Sequence, residues 1–394
     1  MKGHILILID SYLTQKDPRR GAKYKLHLKS FTDRNWQTGI VAIKQKDYNL
    51  IDCFNYKKLI LEESDHDMPI IRDCRMYTLF EKIPKLNHIL NHYTNYVPLK
   101  GVVNYIKNHG LPDILHAHGS EGPGLAAYAI HKKYNIPYAV TEHMTTYYKK
   151  TLKIKKFQAM RKVFSHAKVN LPISTPLGYY LENLFKESFR PWVAVPNMLE
   201  KDLFDSKLAV TADQKDSNFI FLSLSQLVAK KGFEIMLRAF ATAFKGSSVQ
   251  LRIGGDGKDK QKLINLAKQL DIGKQVIFLG YISRQEVANE LNKASAYVCS
   301  SYFETFGIPV IEAFAAGIPV ISTKCGGPES LINQKNGLLV PCGDVKALAN
   351  AMQCMFNNID NYEPHSIKAE CISKFSPDIV AGQLEKIYRS IIDK

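Results

Sequence analysis

Glu304 and Glu312 are the residues of this chain best placed to do chemistry. They stand eight positions apart in Ser301-Tyr-Phe-Glu-Thr-Phe-Gly-Ile-Pro-Val-Ile-Glu-Ala-Phe-Ala-Ala-Gly-Ile-Pro-Val-Ile-Ser322. The pattern puts the first carboxylate in a loop and the second two turns into the helix that the loop feeds. A short apolar strand follows at 319–322. A loop glutamate can accept hydrogen bonds from two hydroxyls of a hexose. A second one at this spacing can hold a vicinal diol such as the 2′,3′ pair of a ribose. Phe306 and Gly307 lie between them at the expected helix start. Gly307 keeps a Cβ out of the way of an approaching phosphate, and Pro309 suits the first turn, where its missing N–H costs nothing. Open N–H groups and the dipole at such a helix end favour a diphosphate. The spacing therefore suits a sugar nucleotide.

Other groups with chemical potential lie at expected strand ends. His116-Ala-His118-Gly119 closes one strand and Thr141-Glu-His143 the next, where ligand sites of α/β sheets form. His116 and His118 share one strand face, but no third ligand has a fitting spacing, and no metal is expected. Gly254-Gly-Asp-Gly257 follows an expected strand and leads into a helix, with Gly255 at its close-approach turn. No phosphate-binding G-x-G-x-x-G or P-loop pattern is present. Asp65-His-Asp67 has no expected strand before it and reads as a solvated loop rather than a metal-binding acid pair. The seven cysteines are scattered, odd in number and without paired spacing, which favours reduced thiols in a cytosolic compartment.

The run from Glu304 to Glu312, with Ala-Phe-Ala-Ala-Gly-Ile-Pro-Val-Ile after it, then Gly326-Gly-Pro-Glu-Ser-Leu-Ile332 and Asn336-Gly-Leu-Leu-Val340, resembles the signature of the retaining glycosyltransferases of family 4. The similarity is strong from about 219 to 348 and looser before that. It implies the GT-B fold: two Rossmann-like doubly wound α/β domains facing a central cleft, the second holding a nucleoside-diphosphate sugar. By that resemblance Lys231 clamps the diphosphate and Gly21 touches it from the first domain. Glu304 orients the donor sugar and Glu312 the ribose, with Phe306 and Gly307 at the helix end. His143 lies by the reacting sugar, and His118 belongs to the acceptor pocket. The family's second cation, an arginine, is replaced by Gln226, and Lys230 or Arg252 are the substitutes the sequence offers. No cofactor is implied. The implied reaction is transfer of a hexose to a glycan or lipid-linked acceptor, as in assembly of bacterial surface polysaccharide. A sugar-nucleotide epimerase of the same fold, and a sugar-nucleotide-binding protein without turnover, are the alternatives.

The elements that must position these groups read as strand, loop and helix in alternation, which makes doubly wound α/β domains. Expected strands include 4–9, 38–43, 113–116, 138–141 and 169–173, then 219–224, 249–253, 276–279, 297–299, 319–322 and 338–340. Expected domains are 1–197 and 198–376, joined near a last strand at 193–195, with a terminal helix at 377–394 returning to the first domain. The opening apolar run at 4–9 is too short for a signal-peptide core and reads as a buried first strand. No apolar run approaches the ~20 residues that span a bilayer.

Charge is unevenly spread. The net is +16, but residues 1–200 hold 30 Lys and Arg against 17 Asp and Glu, and the remainder 23 against 20. Lys149 to Lys162 carries seven cations and no acid, with Leu152, Ile154, Phe157, Met160 and Val163 interleaved. Such a stretch can lie on an anionic lipid surface, each cation adding about 1 kcal/mol. The expectation is a cytoplasmic protein, peripheral on the inner membrane face. No nucleic-acid-binding module is recognisable.

Overall fold

Strand β1, His4–Ile9, is buried at all six positions. A strand covered on both faces reads as a continuous apolar run, as this one does. It is central in the first of two sheets. The computed structural model describes residues 2–12, 22–43, 60–65, 68–73, 99–144, 147, 154–189, 191–200, 203 and 219–393. Its contacts divide the chain into two units. The first is Met1–Ile173, Gly178–Met198 and Val380–Lys394, and the second is Ser174–Leu177 and Leu199–Ile379.

The sheet of unit 1 has seven strands in the order β3-β4-β2-β1-β5-β6-β7. They are β1, β2 (Gln37–Ala42), β3 (Ile60–Asp65), β4 (Met68–Asp73), β5 (Ile114–His118), β6 (Tyr138–Glu142) and β7 (Val169–Pro172). All pairings are parallel except the β3–β4 hairpin. Helices α1 (Ala22–Thr32), α2 (Leu99–His109), α3 (Gly122–Tyr134) and α4 (Ile154–His166) run between strands, and α5 (Thr175–Phe185) follows β7. Strands β3 and β4 are absent from the sequence expectation, because Leu61-Glu-Glu-Ser-Asp65 is too acidic to signal a strand. β3 is the edge strand, with Glu62, Glu63 and Ser64 exposed, and an edge strand tolerates that composition. A strand does therefore precede Asp65, whose carboxylate accepts from the Tyr12 hydroxyl at 3.0 Å and pairs with Lys25 at 3.0 Å. His66 and Asp67 lie outside the described residues.

Unit 2 holds a six-stranded, all-parallel sheet in the order β10-β9-β8-β11-β12-β13. Its strands are β8 (Ile220–Leu224), β9 (Gln250–Gly254), β10 (Val276–Gly280), β11 (Ala296–Cys299), β12 (Val320–Thr323) and β13 (Gly337–Val340). The helices are α6 (Phe233–Phe244), α7 (Lys260–Gln269), α8 (Arg284–Lys293), α9 (Ile308–Ala315), α10 (Val345–Asn357) and α11 (Pro364–Phe375). Phe221, Met236, Phe240, Leu251, Leu348 and Met352 anchor its core. The alternation read from the sequence is reproduced here, with ends shifted by one or two residues. Residues 193–195 do not form the expected strand. The Val193 and Val195 N–H groups donate to Asn170 and Pro172 at 3.1 and 3.0 Å, but Pro191 and Pro196, which have no N–H, bracket the stretch.

The last helix, α12 (Pro377–Ile392), begins in unit 2 and from Val380 belongs to unit 1. Val380, Ala381, Leu384 and Tyr388 join Phe31 and Trp36 in the unit 1 core. Glu385 accepts from Lys2 Nζ at 2.8 Å and Arg34 Nη1 at 3.2 Å; chiefly the Lys2 bond holds its carboxyl below the usual range. Leu384→Ala should destabilise unit 1 by about 2–5 kcal/mol, as removal of a fully packed leucine does. Denaturant unfolding followed at Trp36 and Trp192 reads this directly. A loss under about 0.5 kcal/mol, the size of an ordinary surface change, would show that α12 is not part of that core.

Candidate functional site

Unit 2 gathers its chemical groups at the C-terminal ends of β8, β11 and β12. The loop after β11 carries Glu304, and its main chain is fixed from both sides. The Glu304 N–H donates to Cys325 O at 2.8 Å, and Gly327 N–H donates to Glu304 O at 2.8 Å. The carboxylate is thereby aimed at Lys231, with which it forms an ion pair, and Ser301 Oγ donates to the same oxygen at 2.9 Å. Lys231 comes from a short 3-10 turn, Ala229–Lys231, between β8 and α6. Ser223, Ser225, Lys231, Ser301, Glu304 and Gly307 line one recess.

Helix α9 starts beside that recess. Gly307 is its N-cap at φ 102°, a left-handed conformation costly for any residue with a Cβ. Pro309 is in the first turn, as the sequence suggests. Val310 and Ile311 already donate to Gly307 O at 2.9 and 3.3 Å, so an anion at this end would meet chiefly the main chain of 306–308. The Phe306 ring is buried and packs edge-on against Phe375 at 5.9 Å; only its main chain is available to a ligand. Gly255 has φ 133°, and a Cβ there would fall 1.9 Å from Ser225 O. No other residue fits that turn.

Glu312 occupies a different setting. It is buried on α9, and Arg284 Nη1 donates to its Oε1 at 2.5 Å. Arg284 also donates from Nε to Glu200 Oε2 at 3.1 Å. Burial raises the Glu312 pKa, and the Arg284 charge offsets this only in part. Arg284 is a site residue the sequence reading missed. It is the first residue of α8, between the capping-box partners Ser283 and Glu286, and nothing in its spacing points to Glu312. Of the cations considered in place of the family's arginine, Arg252 is committed elsewhere: its Nε and Nη2 donate to Glu290 at 2.6 and 2.9 Å. Gln226 is exposed just past β8. Gly21 lies outside the described residues.

In unit 1, His118 and His143 come together. His118 Nδ1 and His143 Nε2 share a hydrogen bond of 3.0 Å, and the rings stack at 5.3 Å. What holds His143 is its neighbour Glu142, to which the sequence reading gave no role. Its Oε1 accepts from the N–H groups of His143 and Met144 at 2.8 and 2.9 Å. Its Oε2 accepts from Ser120 N–H at 3.0 Å and the Tyr147 hydroxyl at 2.6 Å. A fully buried carboxylate thus uses all its bonds to fix the loop after β6. The basic segment is helix α4 where it is described. Met160, Val163 and Phe164 face the unit's own core, Phe157 stacks on Phe185 at 4.7 Å, and Ile154 is 76% exposed. The interleaved apolar residues are therefore mostly spent inward, unlike a helix that inserts into lipid, while Lys155, Lys156, Arg161 and Lys162 are exposed. Residues 149–153 lie outside the described set. Among the described residues no helix is long and apolar enough to cross a membrane.

Two family models match this chain: "Glycosyl transferases group 1" over residues 208–368 and "Glycosyltransferase Family 4" over residues 69–202. The architecture is that of GT-B proteins. It superposes on sucrose-phosphate synthase of Thermosynechococcus elongatus with a TM-score of 0.77 at 19% identity, covering 99% of both chains. The Anabaena protein HepE in complex with UDP-glucose superposes with a TM-score of 0.67 at 15% identity, covering 98% of this chain and 100% of that one. An uncharacterised glycosyltransferase of Methanocaldococcus jannaschii is 25% identical over 90% of this chain and 93% of its own. A phosphatidyl-myo-inositol mannosyltransferase of Mycobacterium leprae is 25% identical over 71% of this chain and 74% of its own. Other curated relatives align over about half of their length. The chain belongs to the group 1, family 4 glycosyltransferases of the GT-B fold.

Glu142→Gln should lower both stability and turnover. The amide cannot accept at both ends, and hydrogen bonds to a buried charge contribute about 1.5–3 kcal/mol each. Melting temperature and kcat should fall together. Full activity in the variant would show that the 143–144 loop needs no such anchor.

Proposed function

We propose that the chain is a retaining glycosyltransferase moving a hexose from a nucleoside-diphosphate sugar to a glycan or lipid-linked acceptor, in assembly of a bacterial surface glycan or glycolipid. The observation that carries this reading is the single recess shared by Lys231, Ser301, Glu304 and the N-terminus of α9. It offers a cation and main-chain N–H groups for a diphosphate next to a carboxylate for sugar hydroxyls. The Anabaena neighbour is complexed with UDP-glucose and the mycobacterial relative is named for a lipid acceptor, which supports the substrate classes.

In this reading unit 2 holds the donor. The C1–O bond to the diphosphate breaks, leaving oxocarbenium character on the sugar. The acceptor hydroxyl bonds to C1 on the same face, and its proton leaves with the diphosphate. Such a step needs positioning and stabilisation of leaving-group charge more than a strong base. Lys231 and the 306–308 main chain do the latter without a metal ion, and Glu304 orients the sugar. Glu312 takes the ribose with the oxygen that Arg284 leaves to it. Unit 1 takes the acceptor, with His143 and His118 as the substrate-facing groups.

Glu312→Ala should weaken nucleoside-diphosphate binding about ten- to a hundredfold, the value of charge-assisted hydrogen bonds worth about 1.5–3 kcal/mol. Glu304→Ala should cut kcat more than that affinity, since its partner is the sugar. Calorimetry with the nucleotide and turnover with a sugar-nucleotide panel separate the two. Wild-type activity in both variants would sink the assignment.

The protein should also bind anionic vesicles through charge alone, given the inward apolar face of α4. Changing Lys149, Lys150, Lys155 and Lys162 to glutamine should remove most binding to phosphatidylserine vesicles. Raised salt should mimic the loss, because exposed charges are screened within about 10 Å at 0.1 M. Turnover on a short soluble acceptor should persist. Equal vesicle sedimentation by wild type and variant would assign α4 to solvent.

A further inference from the structure

Three histidines of unit 1 converge, two of which, His27 and His116, have no part in the proposed transfer. His27 comes from α1, and His116 and His118 from β5. All three are buried, and one ring nitrogen of each lies within 4.8 Å of the other two. The expectation that His116 and His118 have no third companion is thereby corrected. His27 reaches them through packing of α1 on the sheet, which sequence spacing does not reveal. The rings touch: His27 meets His116 at 5.4 Å and His118 at 5.3 Å, and His116 meets His118 at 4.3 Å.

The outer partners suit a ligand set. His116 Nε2 shares a 2.7 Å hydrogen bond with Thr141 Oγ1, and His118 Nδ1 is engaged by His143. A hydrogen bond on the far ring nitrogen orients a metal-binding imidazole and fixes its tautomer. On the inner side the Tyr388 hydroxyl lies 2.5 Å from His116 Nδ1 and 3.5 Å from His27 Nε2.

We propose that His27, His116 and His118, with the Tyr388 oxygen as fourth ligand, bind a divalent late first-row transition-metal ion, zinc foremost. Imidazole nitrogen suits zinc, whereas calcium and magnesium demand oxygen ligands. Zinc–nitrogen bonds of about 2.0–2.1 Å in a tetrahedron set the nitrogens about 3.4 Å apart. Binding would therefore draw together the nitrogens, now within 4.8 Å of one another, and move the Tyr388 oxygen outward from its 2.5 Å contact with His116 Nδ1, shifts that small χ changes supply. Such an ion joins α1, β5 and α12. It also places the proton of His118 on Nδ1, facing His143 Nε2, so that His143 carries its own proton on Nδ1. That last consequence rests on His143 facing substrate; the ion site does not.

The wild-type protein, stripped by chelator and titrated with Co2+, should develop the visible absorption of a four-coordinate site at one equivalent. Zinc should bleach it and raise the melting temperature. His27→Gln should weaken zinc binding tenfold or more, and Tyr388→Phe should shift the cobalt spectrum. Nucleoside-diphosphate affinity should be the same with and without zinc, which separates this site from the donor reading. A wild-type protein with no cobalt band, or a folded His27→Gln variant binding zinc as tightly as wild type, would overturn the proposal. The three rings would then be only a hydrogen-bonded core with Tyr388. Should His27→Gln fail to fold, the wild-type cobalt titration decides alone.

Discussion

The stitching of Glu304 between the ends of β11 and β12 is the constraint on which the unit 2 site depends. Two main-chain bonds, to Cys325 O and from Gly327 N–H, leave the carboxylate no freedom except its own torsions. With the main chain fixed, the side chain meets Lys231 and Ser301, and the chain leaves toward α9 through Gly307. A Cβ on Gly327 would fall 2.4 Å from Phe306 main-chain atoms, so the same crossing excludes every other residue there. The loop is thus fixed to the C-terminal end of the sheet. A carboxylate held this way is in position before any ligand arrives, so under the proposed reading it would meet sugar hydroxyls without an ordering cost.

The two glutamates of the motif are alike in sequence and opposite in electrostatics. Glu304 is paired with a lysine whose charge a diphosphate could share. Glu312 is deeper, and burial raises its pKa against the pull of Arg284. A buried carboxylate without a cation would protonate and lose its power as an acceptor. Arg284 keeps Glu312 usable, and Glu200 holds Arg284 in turn. Breaking such a pair from one side is costlier than the pair is stabilising. The Arg252–Glu290 pair follows the same logic, so a cation that sequence proximity offered to the diphosphate is unavailable to it.

Legibility in the sequence followed the range of the interactions. The motif from Glu304 to Glu312 was readable because loop, cap, proline and helix are local. The unit 2 strands were readable because parallel buried strands are unbroken apolar runs. Edge strand β3 was not, since an exposed acidic edge strand lacks that signal. Arg284, Glu142 and His27 were missed for a shared reason. Each acts on a group brought to it by tertiary packing or by its own main chain: Arg284 across α8 to α9, Glu142 back onto the N–H groups beside it, and His27 through α1 to β5. The amphipathic reading of the basic segment picked out its apolar residues but not which side they turn to. Periodicity gives a face, and only the core it meets gives a direction.

That direction changes what the basic surplus of unit 1 can mean. Met160, Val163 and Phe164 are consumed in the fold, so α4 has little apolar surface to place below lipid headgroups. Lys156 is further held by Glu121 at 2.5 Å, and Arg161 by Ser188. Attraction of the remaining charges to an anionic layer is long-ranged and non-directional and acts without dehydrating a hydrophobic face. Under the proposed reading of a lipid-linked acceptor, such a hold would concentrate the protein at a surface and leave it free to move along it, whereas insertion would fix the orientation of unit 1.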